Sequence, residues 1–223
     1  MGRRNGSVSG LSRREFIYLG SASALALVAG CATNAVTGRK ELMLVSEAQE
    51  ISQDRQAAPH QFSADYGPVR DAALNAYVAS VGQKVAAVSH RPGMPYSFHV
   101  VNAVYVNAYT FPGGSVVVTR GMMLQLKNEA ELAAVLGHEI GHVNARHTAR
   151  AMTWGMMGSL VVAGASAYAG GKNADYGTLA AGIGQLAEGA LLARYSRANE
   201  READELGLAT WSRRATAPTG WSG

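Results

Sequence analysis

The stretch His138-Glu139-Ile140-Gly141-His142 puts two imidazoles and a carboxylate within five residues. An α-helix turns about 100° and rises about 1.5 Å per residue, so residues four apart stand one above the other. His138 and His142 can then converge on one ion at the roughly 2.0–2.1 Å that zinc requires. Glu139 is turned a step aside and cannot join them as a ligand, but it can reach a water held by the metal. That spacing points to hydrolysis rather than metal storage, and Gly141 leaves space beside the ion. A catalytic zinc takes three protein ligands and keeps one position open. The third candidate lies in "SRANEREAD", residues 196–204, where Glu200 and Asp204 are again four apart. The reading is one Zn2+ per chain on His138, His142 and Glu200, with Glu139 as the catalytic residue. Asp204 would accept a proton from a ligand histidine and so fix its tautomer. Glu202 points aside, toward solvent. His147, five residues past His142, faces elsewhere on a continuing helix, as a surface residue or one that supports the ligands from outside.

The elements that must position these groups follow from periodicity and capping. Asn128 is placed to cap a helix, with Glu131 at the capping-box position. Leu132, Val135, Leu136, Ile140 and Val143 form its apolar stripe, and the helix is expected to run on to Met152. Ser46 and Gln49 open an earlier helix that Pro59 should end or kink. A further helix lies within residues 67–89, with Val69, Ala73, Tyr77, Val81 and Val85 on one face. Residues 96–121 are rich in Val, Tyr and Phe around Pro112-Gly113-Gly114, which reads as strands about a tight turn. His99 falls there with no partner at ligand spacing, a structural or surface histidine. Residues 155–192 are rich in Gly and Ala; a helical hairpin near the site is preferred, a membrane-dipping segment being the alternative. Residues 189–209 read as the helix carrying Glu200. The expected class is α+β: a mainly helical domain with a small sheet or hairpin beside the histidine helix.

The N-terminus reads as an address. Arg3, Arg4, Arg13 and Arg14 precede a short apolar run that stops at Cys31, too short for a bilayer span of about 20 residues. Arg13-Arg14 followed by Glu-Phe-Ile resembles a twin-arginine export signal. "LVAGC", residues 27–31, resembles a lipobox, so residues 1–30 would be removed and Cys31, the one cysteine, would carry lipid. Ala32, not aspartate, follows it, which by resemblance to bacterial sorting rules places the anchor in the outer membrane, facing the periplasm. Residues 31–45 read as the lipidated tether and 46–209 as the metal-binding domain. The net charge of +4 sits partly in these N-terminal arginines and partly in Arg213 and Arg214, without interleaved aromatics in a folded region. Nucleic acid is therefore not an expected partner.

"LAAVLGHEIGHVNARH", "NAYTFPGGSVVVTRG" and "SRANEREADELG" together resemble the zinc metallopeptidases of the CAAX prenyl endopeptidase type, over about residues 35–208. The resemblance implies a thermolysin-like zincin arrangement and, in the small lipoprotein members, removal of misfolded or misassembled envelope proteins. In related proteases an extended substrate pairs with an edge strand, for which Phe111, Gly113 and Gly114 and their flanks are the candidates.

Past Leu208 the sequence changes character. "TWSRRATAPTGWSG", residues 210–223, has two tryptophans and no helical stripe. With GC-rich codons, a one-base shift of frame turns both tryptophans into methionines around Gly-Tyr and Pro-Asp-Gly, so a frameshifted tail is expected there. A naturally divergent tail is the alternative.

Overall fold

The structure is a computed structural model that describes residues 31–168 and 195–216. The signal segment and most of the expected hairpin at 155–192 lie outside the described residues. The order is β1 (Cys31–Thr33), β2 (Lys40–Leu42), α1 (Glu47–Ala64), α2 (Ala72–Ala86), β3 (Ser97–Val101), β4 (Ala108–Thr110), β5 (Ser115–Thr119), α3 (Arg120–Met123), α4 (Glu129–Asn144), α5 (His147–Tyr168) and α6 (Arg197–Thr216). This is the α+β, mainly helical arrangement expected, with a small sheet beside the histidine helix.

The sheet has the order β3-β5-β4, parallel between β3 and β5 and antiparallel between β4 and β5 across the Pro112-Gly113-Gly114 turn. Successive strand residues face opposite sides of a sheet, and β5 uses both. Val116 and Val118 join Val81 and Val85 of α2 and Leu136 and Ile140 of α4 in the main core. Val117 faces the other way, with Phe111 and Ala58 of α1. β5 is therefore sandwiched between helices, and β4 is left as an edge.

Four local readings change. α2 buries Val78, Val81 and Val85, while Ala73 and Tyr77 are exposed. The stripe is thus shifted by one residue at its start, because the sheet lies on the Val78 side. α1 runs through Pro59 to Ala64. Its inward residues Glu50, Asp54 and Ala58 are all buried, and these anchors hold the helix across the one missing donor. Residues 31–45, expected as a tether, hold two short strands and a packed end. β1 and β2 pair, the Asn34 side chain accepts from the amides of Val36 and Thr37 in the turn, and Met43 and Val45 pack with Ala149 and Met152 of α5. Finally, α6 continues past residue 209 to Thr216, with Thr210 fully buried.

The reading of one helix through to Met152 also gives way. α4 stops at Asn144, Arg146 takes the left-handed φ of 55°, and α5 starts afresh at His147. A buried ionic cluster fixes this corner. Glu50, fully buried, accepts from Arg91 at 2.9 Å and from Arg146 at 3.1 Å. Arg91 also donates to the Val143 carbonyl at 2.8 Å, and Arg146 to the Val45 carbonyl at 2.7 Å. The donated bonds cap the end of α4 and hold Arg146 in a conformation that costs a side-chain-bearing residue about 1–2 kcal/mol.

Candidate metal centre

Two helices build the site. Asn128 caps α4 by accepting from the Glu131 amide at 3.0 Å, and Glu131 returns a bond from the Lys127 amide at 2.8 Å. Ser196, just before α6, caps it: its hydroxyl accepts from the Asn199 amide at 3.2 Å. α6 runs antiparallel along α4, with Ala203 over Gly141 and Gly207 over Gly137. Without side chains at these crossings the backbones approach closely, and Glu200 and Asp204 reach the histidines. Gly141 therefore serves helix contact, rather than clearing space beside an ion as expected.

His138 Nε2 and His142 Nε2 stand 3.1 Å apart. A Glu200 carboxylate oxygen lies 3.3 Å from the first and 3.9 Å from the second. A tetrahedral ion with bonds of about 2.0–2.1 Å holds its ligand atoms roughly 3.3–3.4 Å apart, so these three side chains fit a zinc ion. They are also the one such grouping among the described residues. Asp204 Oδ1 lies 2.8 Å from His138 Nδ1, the nitrogen turned away from that centre.

Glu139 is buried beside this triangle. Burial, reinforced by the Glu200 carboxylate, pushes its carboxyl up to about 8. Burial, with His147 and His138 nearby, pulls His142 down to about 3, so that it stands neutral, the form that ligates metals. All these groups open onto a cleft of about 730 Å³ that is also lined by Ala108, Tyr109 and Thr110 of edge strand β4, by Phe111 and by Tyr195.

The sequence of residues 72–221 matches the profile of Peptidase family M48. The chain belongs to peptidase family M48. The beta-barrel assembly-enhancing protease of Yersinia pestis is 35% identical over 160 residues, covering 67% of this chain and 32% of that protein. The protein of the same name from Escherichia coli K12 is 34% identical over 160 residues, with 67% and 31% covered. The mitochondrial metalloendopeptidase OMA1 of Schizosaccharomyces pombe is 34% identical over 144 residues, with 64% and 40% covered. The M48 chain thus spans about a third of the length of the first relatives it matches. These kinships correct the finer resemblance, since they lie with assembly-enhancing and OMA1 proteases rather than with prenyl endopeptidases.

Of the three residues expected to pair with substrate, the M48 structure puts Phe111 at the cleft wall. Gly113 packs its backbone on Ile51 and Asp54 of α1, and Gly114, at φ 106°, lies against Tyr96. The edge strand itself is the flank Ala108–Thr110, just before the turn. Two further residues gain definite partners. Tyr195 stacks on the His142 ring at 4.0 Å and bonds Thr148 through its hydroxyl at 2.9 Å. His147 is buried, not at the surface: its Nδ1 lies 2.8 Å from His142 Nδ1 and its Nε2 3.1 Å from Glu202. Glu202 is accordingly half-buried and also bound by Arg150 at 3.2 Å. On an unbroken helix a five-residue step turns about 140° away, and it is the break at Arg146 that swings His147 back. His99, by contrast, packs on Phe62 at 4.7 Å in a structural role.

Proposed function

We propose that this M48 chain is a membrane-anchored, zinc-dependent endopeptidase that hydrolyses peptide bonds of misfolded or misassembled envelope proteins. The observation that carries the reading is the triangle of His138, His142 and Glu200 with buried Glu139 beside it. A zinc ion held there supplies Lewis acidity toward a water and a scissile carbonyl. With the cation bound beside it to favour its ionised form, Glu139 would accept the proton of the attacking water and deliver it to the leaving amine. Asp204 accepts from His138 Nδ1 and keeps that ring turned for ligation. Edge strand β4 lines the same cleft, and an extended chain added to it would be gripped through its backbone. Backbone pairing is indifferent to sequence, which suits unfolded substrates. The names of the bacterial relatives point to the assembly of β-barrel proteins, which favours substrates in the envelope.

The anchor is part of the proposal. Cys31 is exposed at the start of β1, so a lipid on it would not disturb the core, and it would hold the domain at the periplasmic face of the outer membrane. The deciding experiment compares casein cleavage by the wild type and by Glu139→Gln, with zinc content measured on both. About one zinc in each, with cleavage by the wild type alone, supports the reading. Equal cleavage removes Glu139 from the chemistry, zinc without cleavage in either leaves a peptide-binding protein, and no zinc in the wild type ends the proposal.

A further inference from the structure

His142 is the ligand whose outer nitrogen meets another histidine. Its Nδ1 and His147 Nδ1 are 2.8 Å apart. Two nitrogens at that distance share one proton, so one ring donates and the other accepts. His142 turns Nε2 toward His138 and Glu200. A neutral histidine that ligates through Nε2 carries its proton on Nδ1. His142 therefore donates, and His147 Nδ1 accepts. The His147 proton must then sit on Nε2, which faces a Glu202 oxygen at 3.1 Å. Arg150 donates to the same oxygen at 3.2 Å and to Glu41 of β2 at 3.1 Å. Every bond in this chain has one consistent direction, and each member is fixed by the next.

From this geometry we propose that His147, oriented by Glu202 and Arg150, is a positioning residue for the metal: it accepts from His142 Nδ1 and thereby sets the tautomer and the ring plane of that ligand. The inference rests on the zinc reading above and adds to it. His138 gets the same service directly from a carboxylate, Asp204, so the two ligand histidines are held by different devices. Tyr195, stacked on the His142 ring, restrains its plane but offers no acceptor to Nδ1. That leaves the orientation to His147.

Two variants separate the hydrogen bond from packing. His147→Asn keeps an acceptor near the position of Nδ1, whereas His147→Phe keeps the ring but accepts nothing. Zinc affinity is read by chelator competition, ligand geometry by the visible spectrum of the cobalt-substituted protein, and folding by thermal unfolding of the metal-free protein. His147→Phe should bind zinc about 10–100-fold more weakly, with an altered cobalt spectrum. His147→Asn should recover most of the affinity. Wild-type affinity and spectrum in His147→Phe, or an Asn variant as weak as the Phe variant, would overturn the proposal. Should either variant fail to fold without metal, nitrogen NMR of the zinc-loaded wild type decides: a proton on His147 Nε2 supports it, and one on Nδ1 refutes it. Loss of zinc from the wild type itself would instead strike the function proposed above.

Discussion

Gly141→Ala adds one methyl group at the tightest crossing of α4 and α6. Its carbon would lie 2.7 Å from the Ala203 carbonyl oxygen and 3.1 Å from the Ala203 Cα, both backbone atoms. Ordinary contact begins at 3.4 Å, so α6 must retreat by about 0.7 Å. Two effects compete. Alanine is a better helix former than glycine by about 0.8–1.0 kcal/mol, while forcing a carbon into a packed contact costs about 1–3 kcal/mol. The clash is with backbone, which cannot rotate away, so the cost wins and the metal-free protein should lose about 0–2 kcal/mol. The larger effect falls on the metal. Metal–ligand distances tolerate only about ±0.2 Å, and Glu200 sits one turn from Ala203 on the helix that moves. Zinc affinity should fall at least about 10-fold, since a misplacement near 1 Å costs up to about 100-fold in other precise sites. Gly137→Ala is the control on the same helix face. Its methyl would meet Gly207 no closer than 3.5 Å, so only the propensity gain remains, and that protein should be stabilised with zinc binding unchanged. Urea unfolding of the metal-free proteins and chelator competition for zinc measure both. Gly141→Ala that is as stable as Gly137→Ala and binds zinc as tightly would refute the close-packing argument.

Glu50→Gln takes the shared charge from buried Arg91 and half-buried Arg146. Arg91 keeps Glu47 at 2.8 Å, so the cost should lie near the low end for a broken buried pair, about 3 kcal/mol; a lower urea midpoint with an unchanged slope checks this. Burial pushes the Asp54 carboxyl above its ordinary value of 3.8, although Ser115 donates to it twice. With the folded value raised, the contribution of Asp54 to stability is full below 3.8 and is lost as pH rises through the folded value. The stability of the wild type relative to Asp54→Asn should therefore fall with rising pH, and a flat or rising difference in denaturation midpoints would contradict the burial argument. Cys31→Ala should leave an unprocessed or soluble precursor, and normal maturation with membrane fractionation would rule out the lipid anchor.

His138, His142, Glu139, Glu200 and Asp204 were legible in the sequence because a helix repeats every 3.6 residues and same-face partners lie four apart. The caps at Ser46 and Asn128 and the Pro112-Gly113-Gly114 turn were legible for the same reason: each is decided by neighbours within a few residues. The α2 stripe differs from its periodic reading by a residue because the position of the sheet, not the period, decides which side is buried. Pro59 does not break α1 because three buried anchors outweigh one lost hydrogen bond. His147 could not be placed, since its direction depends on a left-handed Arg146 held by Glu50, 96 residues away in the chain. The shared ligand set of His138, His142 and Glu200 already required α4 and α6 to meet, but not that Gly137, Gly141, Ala203 and Gly207 would bring their backbones into contact. Sequence alone set which side chains could share a helix face. Only the tertiary structure decided how closely the α4 and α6 faces approach and where His147 turns, because the energy that packs α4 on α6 and turns the corner at Arg146 comes from contacts far apart in sequence.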